Sequence, residues 1–459
     1  MDLKLALPKG RLQKATANLL RRAGLNFNDY EQGNRLYRLS SPSLPHLFAK
    51  VFHEKDIAVQ VAIGNYDLGI CGLDWVEELL TKYPSDAVVK VRGLGYGRRK
   101  LFAAVSSFSN LSSPQELRKG DGPIRLVSEY PHLAEAFALE LRLPNFRVFP
   151  VWGAAEAYPP EQADLVLIST GSAEDLVRLN LLPVKRILEG EALLLANRDS
   201  LENEDLSGLL SALYKVRLEE EAEEPVEASL DVGSPPKGEN LVYLALPDGH
   251  QQAPTSSFLE RAGLELPGYS PLLARRPSPK LPRLAVKVIR PQDMPLQVAS
   301  HNFSLAITGK DWLLDHLARF PSSPVEEITE LPFGQVRLVA VVSQELGVNS
   351  LADLRALLQS GKLKFLRIAS EYVNLADRYA RENHLAPYKV IPTWGATEAF
   401  LPEDADLLIE NTQTGKTLAK HSLKIIDTLF ESSACLIGHP DDLRQESVSE
   451  IADILCRGI

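Results

Sequence analysis

Cysteine is scarce in this chain of 459 residues: three are present, Cys71, Cys435 and Cys456, far apart and in no CxxC pair. A disulfide framework and a cysteine-built metal site are excluded, and a reducing compartment, the cytoplasm, is expected. Long apolar runs are also missing. No stretch of about 18 uncharged apolar residues occurs, which excludes a membrane-spanning helix. Met1 to Leu12 has neither the long apolar centre nor the small-residue cleavage site of a secretory signal. Basic charge is in deficit, 50 Lys and Arg against 60 Asp and Glu, for a net charge of -10. Without a global positive field nucleic acid is not an expected partner, and an anionic ligand must be held by a local pocket. The rest of the composition, 45% hydrophobic and 24% charged, is that of a globular protein whose length asks for two to four domains.

What the chain does contain is itself, twice. The segment SEYPHLAEAFALELRLPNFRVFPVWGAAEA from Ser128 matches SEYVNLADRYARENHLAPYKVIPTWGATEA from Ser370 without a gap, with about half of the positions identical. AIGNYDLGICGLDW from Ala62 matches ASHNFSLAITGKDW from Ala299, GYGRRKLFAAV from Gly95 matches PFGQVRLVAVV from Pro332, and LALPKG from Leu5 matches LALPDG from Leu244. Landmarks in the same order mark a tandem duplication. Between the copies, Leu218 to Asn240 is acidic and then rich in Pro, Gly and Ser, with no apolar period. It reads as a solvated linker, and its eight acidic residues against Lys237 account for most of the net charge. The organisation expected is a first unit at 1–217 with a second lobe at about 92–182, a linker at 218–239, and a second unit at 240–459 with its second lobe at about 329–424.

Short β-branched or Leu-rich runs (Leu3 to Leu7, Ile124 to Val127, Leu165 to Ile168, Val242 to Leu246, Leu407 to Ile409) alternate with helical spacing at Leu12 to Ala23, Trp75 to Leu80 and Leu133 to Leu141. The class is α/β with mostly parallel sheets, which bind ligands at loops leaving strand ends.

The chemistry concentrates in ADLLIENTQTGKTLAKHSL, from Ala405. A buried strand ends at Glu410, and after a polar turn Thr414-Gly415-Lys416-Thr417 opens a helix, which suits a phosphate: Gly415 permits close approach, and N–H groups and hydroxyls complete the cradle. A Walker A loop would need glycine where Glu410 stands. An acid at that strand end suits a sugar phosphate instead, its carboxylate accepting from vicinal ribose hydroxyls. None of the nine histidines sits in a nucleophile motif, and His53-Glu54 lacks the second His of a zinc HExxH helix.

LALPKGRL (from Leu5), DLGICGLD (from Asp67), VIRPQDMP (from Val288), SEYVNL, WGATEA (from Trp394) and IENTQTGKTL with SSACLI (from Ser432) resemble, in order, the landmarks of the ATP phosphoribosyltransferase catalytic domain of histidine biosynthesis, in its short form. The resemblance covers nearly all of both halves. It implies two lobes per half resembling a type II periplasmic binding protein, and transfer of phosphoribosyl from PRPP to N1 of the adenine of ATP, with Mg²⁺ and release of pyrophosphate. It further implies catalytic roles for Lys9, Arg11 and Glu410, a PRPP phosphate loop of Gln413, Thr414, Gly415, Lys416 and Thr417, and cleft positions for Asp67, Gly72, Arg290 and Glu398. No protein-ligated metal is expected. The tandem is expected to act as a covalent pseudo-dimer, with a histidyl-tRNA-synthetase-like regulatory subunit or further oligomer as a partner.

Neither half keeps a full set. The second has Asp248 for Lys9 and His250 for Arg11; the first has Ile168 for Glu410, and Ser172-Ala173-Glu174-Asp175 where the phosphate loop should be, which sets carboxylates against a phosphate. The RPQD element is intact only at Arg290 to Asp293. Two classes of function therefore stand: an active transferase whose working loop is in the second half, and a non-catalytic nucleotide- or phosphoribosyl-binding subunit that regulates or scaffolds another enzyme.

Overall fold

The structure is a computed structural model that describes residues 3–27, 29–31, 37–41, 44–109, 111, 113–118, 122–217, 231–236, 238, 240–413, 415, 418 and 421–459. The described residues form four sheets, two per half, with helices packed on them. In the first half, lobe one orders its strands as Arg38–Ser41, Leu44–Phe52, Leu3–Pro8, Leu68–Gly72, Ala192–Asn197 and Val88–Gly93. Lobe two is Leu181–Gly190, Arg99–Ser106, Leu165–Thr170, Ile124–Ser128 and Phe146–Pro150. The second half repeats this. Its lobe one runs Leu284–Ile289, Val242–Pro247, Leu305–Gly309, Ala434–Gly438 and Glu326–Glu330, and its lobe two Tyr388–Pro392, Leu366–Ser370, Leu407–Thr412, Val336–Ser343 and Leu423–Ser432.

Every sheet has a parallel three-strand core, such as Leu44–Phe52, Leu3–Pro8 and Leu68–Gly72. Those strands are apolar on both faces because both faces are covered. The sheets are mixed because the chain crosses between lobes twice per half, and the strands that cross enter antiparallel, as Ala192–Asn197 does beside Leu68–Gly72. The lobe-two sheets run on to Gly190 and Ser432. Of the acidic linker, residues 231–236 are described, and Val232 is buried rather than solvated.

The halves pack head to tail. One shared core joins Phe102, Phe149 and Tyr158 of first-half lobe two to Ile289, Met294 and Phe303 of second-half lobe one. Its counterpart joins Phe52, Ile57 and Tyr66 of first-half lobe one to Ile391, Phe400 and Leu408 of second-half lobe two. Full burial of such side chains contributes about 1.5–3 kcal/mol each, so the contact is part of the fold. A pair of interior lysines marks the same pseudo-two-fold relation. Lys50 donates to Asp404 and Glu403, each at 2.8 Å, and Lys287 donates to Glu161 at 2.7 Å and to the Tyr158 carbonyl at 2.9 Å. The aspartate of RPQD belongs to this interface too: buried Asp293 accepts the Trp152 N–H at 3.0 Å.

Candidate active site

In the second half the carboxyl ends of strands from both lobes converge on a cavity of about 280 Å³. Lobe one contributes Asp248, His250, Arg290 and Gln292, and lobe two contributes Glu371, Glu410 and Asn411. Each follows or ends a strand, where side chains leave the sheet and are free to meet a ligand. Glu371, Glu398 and Glu410 lie close enough to act on one another, and no cation among the described residues pairs with any of them. Burial pushes Glu371 up to about 7, against a hydrogen bond from the Gly395 N–H, with Glu398 and Asp311 adding to the rise. Burial pushes Glu410 well above the carboxylate range, with Glu398 and Glu371 adding. Glu410 Oε2 and Gln292 Oε1 are buried with no hydrogen-bond partner. Buried acceptors are ordinarily satisfied, so this pair asks for a ligand that brings donors.

Positive charge has moved rather than disappeared. Asp248, standing for Lys9, accepts from Arg275 at 3.0 Å and from Arg290 at 3.2 Å. The second half therefore places two guanidiniums and one carboxylate where the first has Lys9, Tyr37 and His53, and the net charge is one positive in both with His53 neutral. Burial lowers His53 to about 4, with nearby Lys55, Lys9 and Arg11 adding. Arg290 is 42% exposed and packs under a first-half turn, where a Cβ on Gly153 would lie 2.9 Å from its Nε. Trp312 stacks on Tyr372 at 4.2 Å, and Trp152 of the first half lies 5.7 Å from Trp312.

The corresponding first-half cleft is crossed by ion pairs, one of them supplied by the second half. Arg11 reaches Glu54 at 2.8 Å and Asp74 at 3.7 Å, Lys55 bridges the lobes to Glu129 at 2.9 Å, and Arg275 pairs with Glu156 at 3.0 Å. Beside Arg11, Gly72, Asp74 and Ser169 lies a cavity of about 10 Å³, room for about one water. Of the two carboxylates expected to oppose a phosphate, Asp175 caps its own helix, accepting the Ser172 N–H at 2.9 Å, and Glu174 is exposed.

Lys9, Arg11 and Glu410 are thus not one catalytic set. Arg11 is held in the closed first cleft because Glu54 and Asp74 are its nearest anions, whereas Glu410 faces the open second one. Lys9 lies 5.4 Å over the Tyr37 ring, and Tyr37 touches Glu398. Asp67 is not in a cleft: it precedes strand Leu68–Gly72, at the end opposite the ligand side, and accepts from the Lys4 N–H and the Ser200 hydroxyl, both at 2.7 Å. Gly72 ends that strand, and a Cβ there would meet Asp74 at 2.2 Å. Arg290, Glu398 and Glu410 come together. Gln413 and Gly415 follow Glu410, with Gly415 in the left-handed region and its N–H donating to Thr412 at 3.0 Å. Thr414, Lys416 and Thr417 lie outside the described residues. Not assigned to the site from the sequence were Tyr37, Arg275, Lys55, Gln292 and Glu371; the glutamate in SEY, present in both copies, and the RPQD element that contains Gln292 were the available signals. His301, His439 and Asp441 also cluster. There His439 Nδ1 accepts the Asp441 N–H at 3.1 Å, so its other ring nitrogen carries the proton and has no lone pair for a metal.

Comparison with known proteins gives the family. A family model, HisG: ATP phosphoribosyltransferase, matches residues 53–215 and 290–457. An ATP phosphoribosyltransferase of Chlorobium phaeobacteroides is 30% identical over 226 residues, covering 47% of this chain and 71% of that protein. One from Saccharolobus solfataricus is 31% identical over 215 residues, covering 45% and 68%. Among solved structures, the ATP phosphoribosyl transferase (HisG:HisZ) complex from Thermotoga maritima aligns with a TM-score of 0.38 at 20% identity, covering 48% of this chain and 98% of that one. The alkanesulfonate-binding protein SsuA from Xanthomonas axonopodis pv. citri aligns with a TM-score of 0.33 at 11% identity, covering 49% and 74%.

Proposed function

Because the chain belongs to the ATP phosphoribosyltransferase family, we propose that its second-half cleft transfers the phosphoribosyl group of PRPP to N1 of the adenine of ATP, releasing pyrophosphate, as the first step of histidine biosynthesis. The observation that carries this reading is Glu410, whose buried Oε2 has no partner and stands at the strand end before the phosphate loop. Vicinal ribose hydroxyls are the donors it lacks. Departure of the diphosphate leaves positive charge on the anomeric carbon; burial raises Glu410 in the empty site, and it faces that charge as a carboxylate when the substrate's cation favours its ionised form. N1 attacks with its own lone pair, so no side chain has to remove a proton. Catalysis is positioning and electrostatics, with Arg290 offering donors to the diphosphate and Asp248 fixing its direction.

Mg²⁺ fits the donor set, since Glu371, Glu398 and Glu410 are oxygen ligands of the kind it takes beside substrate phosphates, and it would supply neutralisation of the leaving diphosphate. The three cysteines are free, which suits a cytoplasmic enzyme. A regulatory subunit similar to a histidyl-tRNA synthetase is a partner in keeping with the family.

The replacement of Lys9 and Arg11 by Asp248 and His250 favours one other reading, a subunit that binds PRPP without turnover. Incubation of the chain with PRPP, ATP and Mg²⁺, following the ultraviolet absorbance of the N1 adduct, separates the two. Adduct formation is expected. PRPP binding with no adduct, alone and with a histidyl-tRNA-synthetase-like subunit, would leave the binding role.

A further inference from the structure

One glutamate position is treated in opposite ways by the two halves. Glu156 and Glu398 follow the two tryptophan turns, and each meets lobe one of the other half. Arg275 Nε donates to Glu156 at 3.0 Å, and the Tyr37 hydroxyl donates to Glu398 at 3.2 Å. Tyr37 and Arg275 occupy the same place in the fold: the Tyr37 carbonyl accepts the Val51 N–H at 2.8 Å and the Arg275 carbonyl accepts the Val288 N–H at 2.9 Å. A guanidinium cancels the carboxylate it holds. A phenol orients the carboxylate and leaves its charge in place.

The neighbouring exchange has the same sense. Lys55 spans the first cleft to Glu129, while Gln292, its counterpart, lines the second cleft beside Glu371 with its carbonyl oxygen unpartnered. One cleft is crossed by protein cations; the other sets carboxyls that no described protein cation pairs with around an open cavity.

We infer that Tyr37, supplied by the first half, is a positioning residue of the second-half cleft, and that the Tyr37/Arg275 exchange decides which cleft accepts a diphosphate sugar accompanied by a divalent cation. The ligand's identity rests on the transferase reading; the charge exchange does not. Glu398 is the link, because its charge acts on Glu371 and Glu410. The other ionisable groups near these three are Asp311, Tyr372, Asp248, His250 and Arg290, with Asp56 next to Glu371 from the first half and Lys9 and His421 against the Tyr37 ring.

The test compares the full chain with Tyr37→Arg and Tyr37→Phe by calorimetry with PRPP, with and without Mg²⁺. A guanidinium on Glu398 takes the place of the divalent cation, so Tyr37→Arg should bind Mg–PRPP about tenfold or more weakly and gain less affinity from Mg²⁺ than the wild type does. Tyr37→Phe adds no charge and should keep the wild-type gain. A wild-type affinity and gain in Tyr37→Arg, or an equal loss of the gain in Tyr37→Phe, overturns the inference. Should the wild type fail to bind Mg–PRPP, the transferase reading falls and Mg²⁺ alone becomes the probe: it must bind the wild type more tightly than Tyr37→Arg, and equal binding overturns the inference. Should Tyr37→Arg fail to fold, Tyr37→Lys takes its place with the same expected and contrary results.

Discussion

Glu371 and Glu410 are held away from water with no cation among the described residues to balance them, and this has a measurable consequence. Glu371 titrates near 7 in the fold against an ordinary value of 4.5. A carboxyl raised on folding binds more protons in the native state than in the unfolded one, so its contribution to stability is complete below about pH 4.5 and is lost as pH rises through about 7. Below about pH 6.5 the lowered His53 works in the opposite sense, so the ligand-free protein should lose thermal midpoint in the upper part of that window, from about pH 6.5 upward, and Mg–PRPP, whose cation favours the carboxylates, should bind more tightly at pH 8 than at pH 6 with release of protons. An apo midpoint that rises over that upper part would contradict this. Glu410 was legible in the sequence as a strand-end acid, because the apolar run from Ala405 leads directly into it and a polar turn follows. Tyr37 was not, because its partner is 361 residues away and a tyrosine carries no sign of what it will touch. Arg11 was read as substrate-facing because sequence shows a charge without its counter-charge, and the structure supplies Glu54 at 2.8 Å.

Elements were more legible than their directions. The strands expected at Leu3, Ile124, Leu165, Val242 and Leu407 form with a few residues added at their ends, since a short apolar run bounded by polar turns specifies a strand locally. Whether a neighbour runs parallel or antiparallel depends on which lobe the chain has just left, and no local pattern records that. The same holds for Lys50 and Lys287. Each sits in a strand that is largely apolar, and each finds its acids only in the other half. Replacing Lys50 by methionine leaves buried Asp404 without its cation and should cost about 3–5 kcal/mol, read as a lowered urea midpoint. A loss under about 1 kcal/mol would mean that the pair does not hold the halves together.

At the scale of the molecule, the duplication has produced a covalent pseudo-dimer whose two clefts have diverged. The repeat and its order were plain in the sequence because two copies of a landmark constrain each other, and the two-lobed unit followed from the family resemblance. Which cleft is open was not, because it depends on ion pairs formed across lobes and across halves. Duplication frees one copy to become scaffold: the first half closes its cleft with Arg11, Lys55 and the Arg275 of its neighbour, and lends Tyr37 to the site that stays open. The most direct test is the stoichiometry of Mg–PRPP binding by calorimetry on the full chain, with and without Glu410→Gln. One equivalent per chain is predicted, weakened about 10- to 100-fold in the variant, the effect of losing a charge-assisted hydrogen bond of about 1.5–3 kcal/mol. Two equivalents per chain, or one that Glu410→Gln leaves untouched, would contradict the assignment of a single working cleft to the second half.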